Sequence, residues 1–298
     1  MRGLFIIAAL LSSVNAVMGQ SFYSLRRERS LMLVAGTGSS SYFGELKNDG
    51  DYIDAKLNAN VGLQLFLTPR ISARAEATWF SLKGADSEAD DNSRKRRNLS
   101  FSSNNLELSF TGAISFFPQG NRYYRRPGFN VYGFGGLGVM YYNPTTIYNG
   151  KKYALQPLET EGVHYSKVAL VLPFGLGARL KLTPFLNLSI EGGYRKTFTD
   201  YLDDVSTVHK GSAAFSDPIA GALSDRRPEL PGLTEVAPGT QRGSPSNNDG
   251  YFLLNAKLEY YLPGNFQLGG GGSKKKPSYN QRRKSPTYRY NKRGGIKR

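Results

Sequence analysis

A period of two governs this chain. Eight stretches of about ten residues alternate apolar with polar side chains, and that alternation marks a strand whose two faces meet different surroundings. In the second stretch Leu57, Ala59, Val61, Leu63, Leu65 and Leu67 share one face, opposite Asn58, Asn60, Gly62 and Gln64. The third sets Ile71, Ala73, Ala75, Ala77 and Trp79 against Ser72, Arg74, Glu76 and Thr78. The fourth (Leu106 to Phe116), sixth (Leu172 to Leu182), seventh (Leu186 to Arg195) and eighth (Phe252 to Tyr260) repeat the pattern. The first, around Leu31 to Phe43, and the fifth, around Phe129 to Tyr141, are rich in glycine and alternate less cleanly.

The connections alternate as well. Thr68-Pro69-Arg70 and Thr183-Pro184-Phe185 are minimal turns, and Gln119 to Pro127 is a third short link. Between them lie long polar segments near 44–56, 81–102, 143–167 and 203–250. A closed, up-and-down barrel in an outer membrane has this layout, because every spanning strand must be paired and no edge can face lipid. The expected fold is therefore all-β: an eight-stranded antiparallel transmembrane barrel. A soluble β-sandwich also alternates. Here, however, the polar face carries opposite charges on neighbouring strands. Trp79, Phe80, Phe116, Phe117, Tyr141, Tyr142, Tyr201 and Tyr260 gather near strand ends, where a barrel carries its interfacial girdles. Short turns belong to the periplasmic side, which sends the long loops outward and both termini inward. The last loop holds Pro218, Pro228, Pro231, Pro238 and Pro245 and is expected to be irregular.

The expected domains are a signal peptide (1–19), a short periplasmic segment (20–30), the barrel (31–262) and a basic periplasmic tail (263–298). Arg2 followed by the eight apolar residues Leu4–Leu11 and a small-residue stretch reads as an export signal, too short to span a bilayer as a helix. The chain has no cysteine, which excludes disulfides, thiolate metal sites and a lipidated cysteine. The formal charge is +16, but eleven Lys or Arg and no acid fall in 263–298. Taking those eleven from +16 leaves +5 on the rest. The basicity is a local device, and nucleic acid is not an expected partner of an exported chain.

An eight-stranded barrel has room inside only for side chains. The inward positions include Arg74, Glu76, Glu107, Arg179, Lys181, Glu191, Arg195, Lys257 and Glu259, so cross-strand pairing is expected to plug the lumen. A conducting porin is not expected. The GxGxxG match at Gly133–Gly138 lies within a strand pattern and lacks the helix that a dinucleotide site needs. Asp86, Glu88, Asp90 and Asp91 lack the glycine and terminal glutamate of a calcium loop, and Arg94 to Arg97 follow at once; a solvated, self-compensating run is expected. His164 and His209, near Ser166 and Ser206, are the only trace of a lipid-modifying enzyme at the membrane rim, the alternative to a non-catalytic role. Neither catalytic residues nor cofactors are otherwise indicated. In the tail a glycine hinge (Gly269–Gly272) precedes Lys274, Lys275, Lys276, Arg282, Arg283, Lys284, Arg289, Lys292 and Arg293, interleaved with Tyr279, Tyr288 and Tyr290. This segment suits either anionic headgroups or an acidic periplasmic partner.

Three segments carry a family resemblance. Ser41-Tyr42-Phe43-Gly44-Glu45-Leu46, the run Gly133 to Tyr142 with Asn143-Pro144, and above all Arg195 to Ser206 with Thr199, Asp200, Tyr201, Leu202, Asp203 and Asp204 resemble the PorG-like barrel subunit of the Bacteroidetes type IX secretion system. The resemblance covers about Leu31 to Leu262. It implies a non-enzymatic outer-membrane component. Its implied partners are the periplasmic ring proteins, a lipoprotein and its partner subunit, and its implied roles are protein export and, in gliding species, motility. The basic tail has no counterpart in that pattern.

Overall fold

The computed structural model describes residues 30–47, 56–119, 125–245 and 248–262. Eight long strands form the wall: β1 (Leu31–Phe43), β2 (Lys56–Phe66), β3 (Ile71–Ala85), β4 (Ser100–Ser115), β5 (Phe129–Tyr141), β8 (Val168–Lys181), β9 (Leu186–Thr197) and β10 (Gly250–Tyr261). Each pairs antiparallel with its chain neighbour in the wall, and β1 with β10 closes the ring, so all eight have two partners. A small hairpin, β6 (Pro144–Tyr148) and β7 (Lys151–Ala154), continues off the end of β4.

Burial follows the two-residue period. Along β2, Leu57, Val61 and Leu63 are exposed while Asn58, Asn60 and Gln64 are buried. β4 does the same with Leu106, Leu108 and Phe110 outside and Glu107 and Thr111 inside. The wall is thus inverted relative to a water-soluble protein: a belt of large apolar side chains faces out and the polar set is enclosed. In lipid, apolar contacts between wall side chains supply little cohesion. The wall is held by its ladder, since each unpaired backbone group in hydrocarbon costs several kcal/mol.

Two of the short turns are built alike. The Thr68 hydroxyl accepts from the Ile71 amide at 2.9 Å, and the Thr183 hydroxyl accepts from the Leu186 amide at 3.1 Å. In each the following proline fixes φ and withholds a donor that would have no partner. The third short link reaches back as well: Arg126 donates to Asn187 Oδ1 and the Pro184 carbonyl, each at 2.8 Å, and its guanidinium lies 4.9 Å above the Tyr261 ring. It stoppers that end of the cylinder beside Met32 and Phe66.

At the other end the strands outlast the bilayer. About ten tilted residues cross hydrocarbon, whereas β3 has 15 and β4 has 16. Their surplus joins the long loops in a cap with the main hydrophobic cluster of the described residues, including Tyr42, Phe80, Leu82, Phe101, Met140, Tyr142, Leu202, Val205 and Tyr251. Three sequence expectations are corrected here. Phe80 and Tyr142 are not girdle residues: alternation turns them inward from their exposed neighbours Trp79 and Tyr141, and both are buried in the cap, with Tyr201 packed against the same cluster. The proline-rich segment carries a helix, α2 (Pro218–Ser224), started by the Asp217 side chain accepting from the Ile219 amide at 2.8 Å. Proline at the first helical position costs no hydrogen bond, so these prolines shape the loop rather than dissolve it. Asp86 is fully buried rather than solvated; it accepts from Arg97 at 2.7 and 2.8 Å and from the Leu99 amide at 3.0 Å, fixing α1 (Asn92–Arg97) to the cap.

Candidate functional site

Eight of the nine inward charges are buried together in the lumen. In the middle layer Arg74 meets Glu191 at 2.6 Å, and the Lys257 ammonium lies 2.7 Å from both Glu76 and Glu191. Tyr132 also donates its hydroxyl hydrogen to Glu191. Nearer the short turns Arg179 grips Glu259 through two guanidinium nitrogens, and Asn187 adds a bond at 3.0 Å. Nearer the cap Glu107 accepts from Tyr251 at 2.7 Å and has Arg195 at 3.7 Å. Lys181 is half-buried at the end of β8. The four buried cations match four carboxylates. Buried ions persist only when paired and hydrogen-bonded. Gly36 admits the Lys257 stem, because a Cβ there would come within 2.6 Å of Lys257 Cγ. The network spans the bore.

The Thr199–Asp204 segment leaves β9 and enters the cap, where it ties distant segments together. Asp203 accepts from the Tyr42 hydroxyl at 2.8 Å and from the Val205 amide at 2.9 Å. Asp204, with a left-handed φ of 69°, accepts from Tyr165 at 2.6 Å and from Thr160. Burial pushes its carboxyl up to about 6 against the pull of Arg242. Leu202 is buried, and its amide donates to Asp249 at 3.0 Å. Thr199 accepts from the Asp249 amide at 3.1 Å. Beneath them Glu161 accepts from Arg242 at 2.8 Å and from the Ser206 and Thr207 amides at 3.0 and 2.8 Å. Tyr201 stacks on Tyr165 at 4.7 Å. A cleft of about 510 Å³ opens beside this hub, lined by Arg94, Arg96, Arg97, Arg227 and Arg242 with His209 and Glu45.

The two histidines do not form a catalytic set among the described residues. His164 is exposed and lies 2.9 Å from Glu159, while His209 is buried. Neither is hydrogen-bonded to a serine hydroxyl among the described residues. Gly133–Gly138 lies within β5, with no helix following. The signal segment and the basic tail, with Lys274, Lys275, Lys276, Arg282, Arg283, Lys284, Arg289, Lys292 and Arg293, fall outside the described residues. Oxygen donors for a metal ion do converge: one carboxylate oxygen each from Glu45, Asp200 and Asp249 lies within 4.8 Å of the others. Sequence reasoning missed this trio because Glu45 comes from the first long loop while Asp200 and Asp249 stand at opposite ends of the last. It also missed Arg126 and Arg242, whose partners are remote in the chain.

A closed eight-stranded antiparallel barrel, apolar outside and ion-paired within, defines a transmembrane β-barrel of the outer-membrane type. Residues 19–215 match the family model described as Domain of unknown function (DUF6089), and the chain belongs to that family. No curated protein matches it. Among solved structures it is similar to the N-terminal β-barrel domain of Pseudomonas aeruginosa OprF, at 10% identity and a TM-score of 0.37 over 79% of this chain and 100% of that one. It is similar to a major outer membrane protein of Thermus thermophilus, at 12% identity and a TM-score of 0.40 over 79% and 100% of the two chains. The outer membrane enzyme PagL is similar at 11% identity and a TM-score of 0.32, over 78% and 99%.

Proposed function

We propose that this barrel is a non-enzymatic outer-membrane subunit of a type IX protein secretion machine, anchoring the periplasmic ring of lipoprotein and partner subunit and so supporting export, with gliding motility where the cell glides. The observation that carries the reading is the filled lumen. A bore occupied by paired Arg74, Glu76, Glu191 and Lys257 leaves no conduit for cargo, so a secretion role falls to anchoring rather than transport. The resemblance of Arg195 to Ser206 to the PorG-like subunit supports the choice of machine. Bilayer lipid contacts the apolar belt, and the short-turn end faces the periplasm, where the tail from Lys274 onward reaches an acidic ring surface. Small-molecule substrates and nucleic acid have no part in it.

The test is deletion of residues 274–298 with affinity purification of the barrel from cells. The expected result is loss of co-purified ring proteins with the barrel still inserted and heat-modifiable. Unchanged recovery removes the tail from the mechanism, and absence of ring proteins from the intact chain's preparation contradicts the reading itself.

A further inference from the structure

We propose that the cap binds one calcium ion between Glu45, Asp200 and Asp249. Two oxygens bound to one calcium ion at about 2.3–2.6 Å can be no more than roughly 5 Å apart. The three carboxylate oxygens, mutually within 4.8 Å, meet that limit.

A second observation points the same way. Asp200 is only 7% exposed, and neither of its oxygens has a hydrogen-bond partner. Glu45 Oε2 is likewise buried and unpartnered. Buried carboxylate oxygens normally accept hydrogen bonds, because leaving them bare costs free energy. The other oxygens nearby are committed: Glu45 Oε1 accepts from the Ser244 amide at 3.1 Å, and Asp249 accepts from the Leu202 amide at 3.0 Å and shares the one Tyr42 hydroxyl hydrogen, at 2.6 Å, with Asp203. Those bonds fix the Glu45 and Asp249 carboxylates, while Glu45 Oε2 and both Asp200 oxygens accept nothing.

Charge completes the case. With Asp203 beside them, four acids face each other with no ion-pair partner among the described residues. Of the nearby arginines, Arg242 is paired with Glu161, and Arg97 is paired with Asp86 while attracting Glu45 and Asp203 from farther off. The stretches 48–55 and 246–247 contain no Lys or Arg. An all-oxygen donor set without His or Cys selects a hard cation. Donors from two loops, with Asp200 and Asp249 at opposite ends of one of them, suit calcium's flexible coordination better than magnesium's strict octahedron. Gly44 is part of the enclosure: a Cβ there would lie 1.9 Å from the Tyr42 hydroxyl oxygen and 2.0 Å from Asp249 Oδ1, so the turn can close on the site only as glycine.

The experiment titrates the EDTA-stripped full chain, refolded in detergent, with calcium chloride in a calorimeter, and with terbium excited through tyrosine. We expect one calcium per chain with a Kd on the order of 10⁻⁴–10⁻³ M, as in extracellular modules, and magnesium at least about tenfold weaker. Asp200→Asn should weaken calcium at least about tenfold, and Asp90→Asn, at an exposed acid, should leave it unchanged. Heat modifiability in gels confirms that each variant is folded; should Asp200→Asn not fold, Glu45→Gln replaces it. A wild-type chain giving no saturable calcium heat and no terbium emission overturns the proposal, as does a folded Asp200→Asn or Glu45→Gln variant that binds like wild type.

Discussion

Lys257 on β10 donates to both carboxylate oxygens of Glu76 on β3, at 2.8 and 2.7 Å, across the interior of the barrel. The same ammonium reaches Glu191, so one cation holds two carboxylates from strands that are not neighbours in the wall. The bond acts as a cross-brace, and it is what closes the bore at its middle.

Removing that cation leaves two buried carboxylates with only Arg74 between them. Breaking a buried pair by deleting one partner costs about 3–5 kcal/mol. Lys257→Ala should therefore lower the unfolding free energy in urea titrations by about that much, whereas Lys257→Met combined with Glu76→Gln should cost markedly less. A loss below about 1 kcal/mol for the single variant contradicts the brace.

The plug also has an electrical consequence. Protein reconstituted into planar bilayers should carry no steady ionic current, because a barrel of eight strands has room inside only for side chains and paired charges cross it. Stable unit conductances from the wild-type chain would refute the packing of the lumen.

The cap should respond to acid through Glu161. Burial pushes this carboxyl up, but the Arg242 charge and the bonds from Thr207 and Ser206 outweigh it, so it titrates below its ordinary range. A folded pKa below the unfolded one gives stability that is present above the ordinary carboxylate pKa and lost as pH falls through the folded value. Asp204, pushed up to about 6, works with the opposite sign as pH rises from its ordinary range to that value. Comparison with a Glu161→Gln variant isolates the first effect: protease cleavage of the cap should accelerate below about pH 4 in wild type and should depend less on acid in the variant. Equal acid sensitivity in the two would show that Glu161 does not anchor the cap.

What could be read from the chain was what depends on neighbours in sequence. The faces of β2, β3, β4, β8, β9 and β10 follow from a local period of two, and so do the inward positions of Glu107 and Arg179. The cap could not be read, because its order comes from partners far apart: Tyr42 with Asp203 and Arg242 with Glu161, separated by 161 and 81 residues. Phe80 and Tyr142 misled for a related reason. Aromatics near a strand end look like a girdle whichever way they point, and only the length of β3 and β4 past the bilayer shows that a second core waits there. The trio Glu45, Asp200 and Asp249 has no spacing to betray it, since it is assembled by tertiary folding alone.

The account rests on an apolar wall that faces lipid, and the chain's one tryptophan reports on it directly. Trp79 projects from β3 on the outer face, 48% exposed beside the buried Phe80. In vesicles of brominated phospholipid its emission should be blue-shifted and strongly quenched, while aqueous iodide should have little effect. Ready quenching by iodide with none from the brominated chains would place Trp79 in water and contradict the barrel's orientation of inside and out.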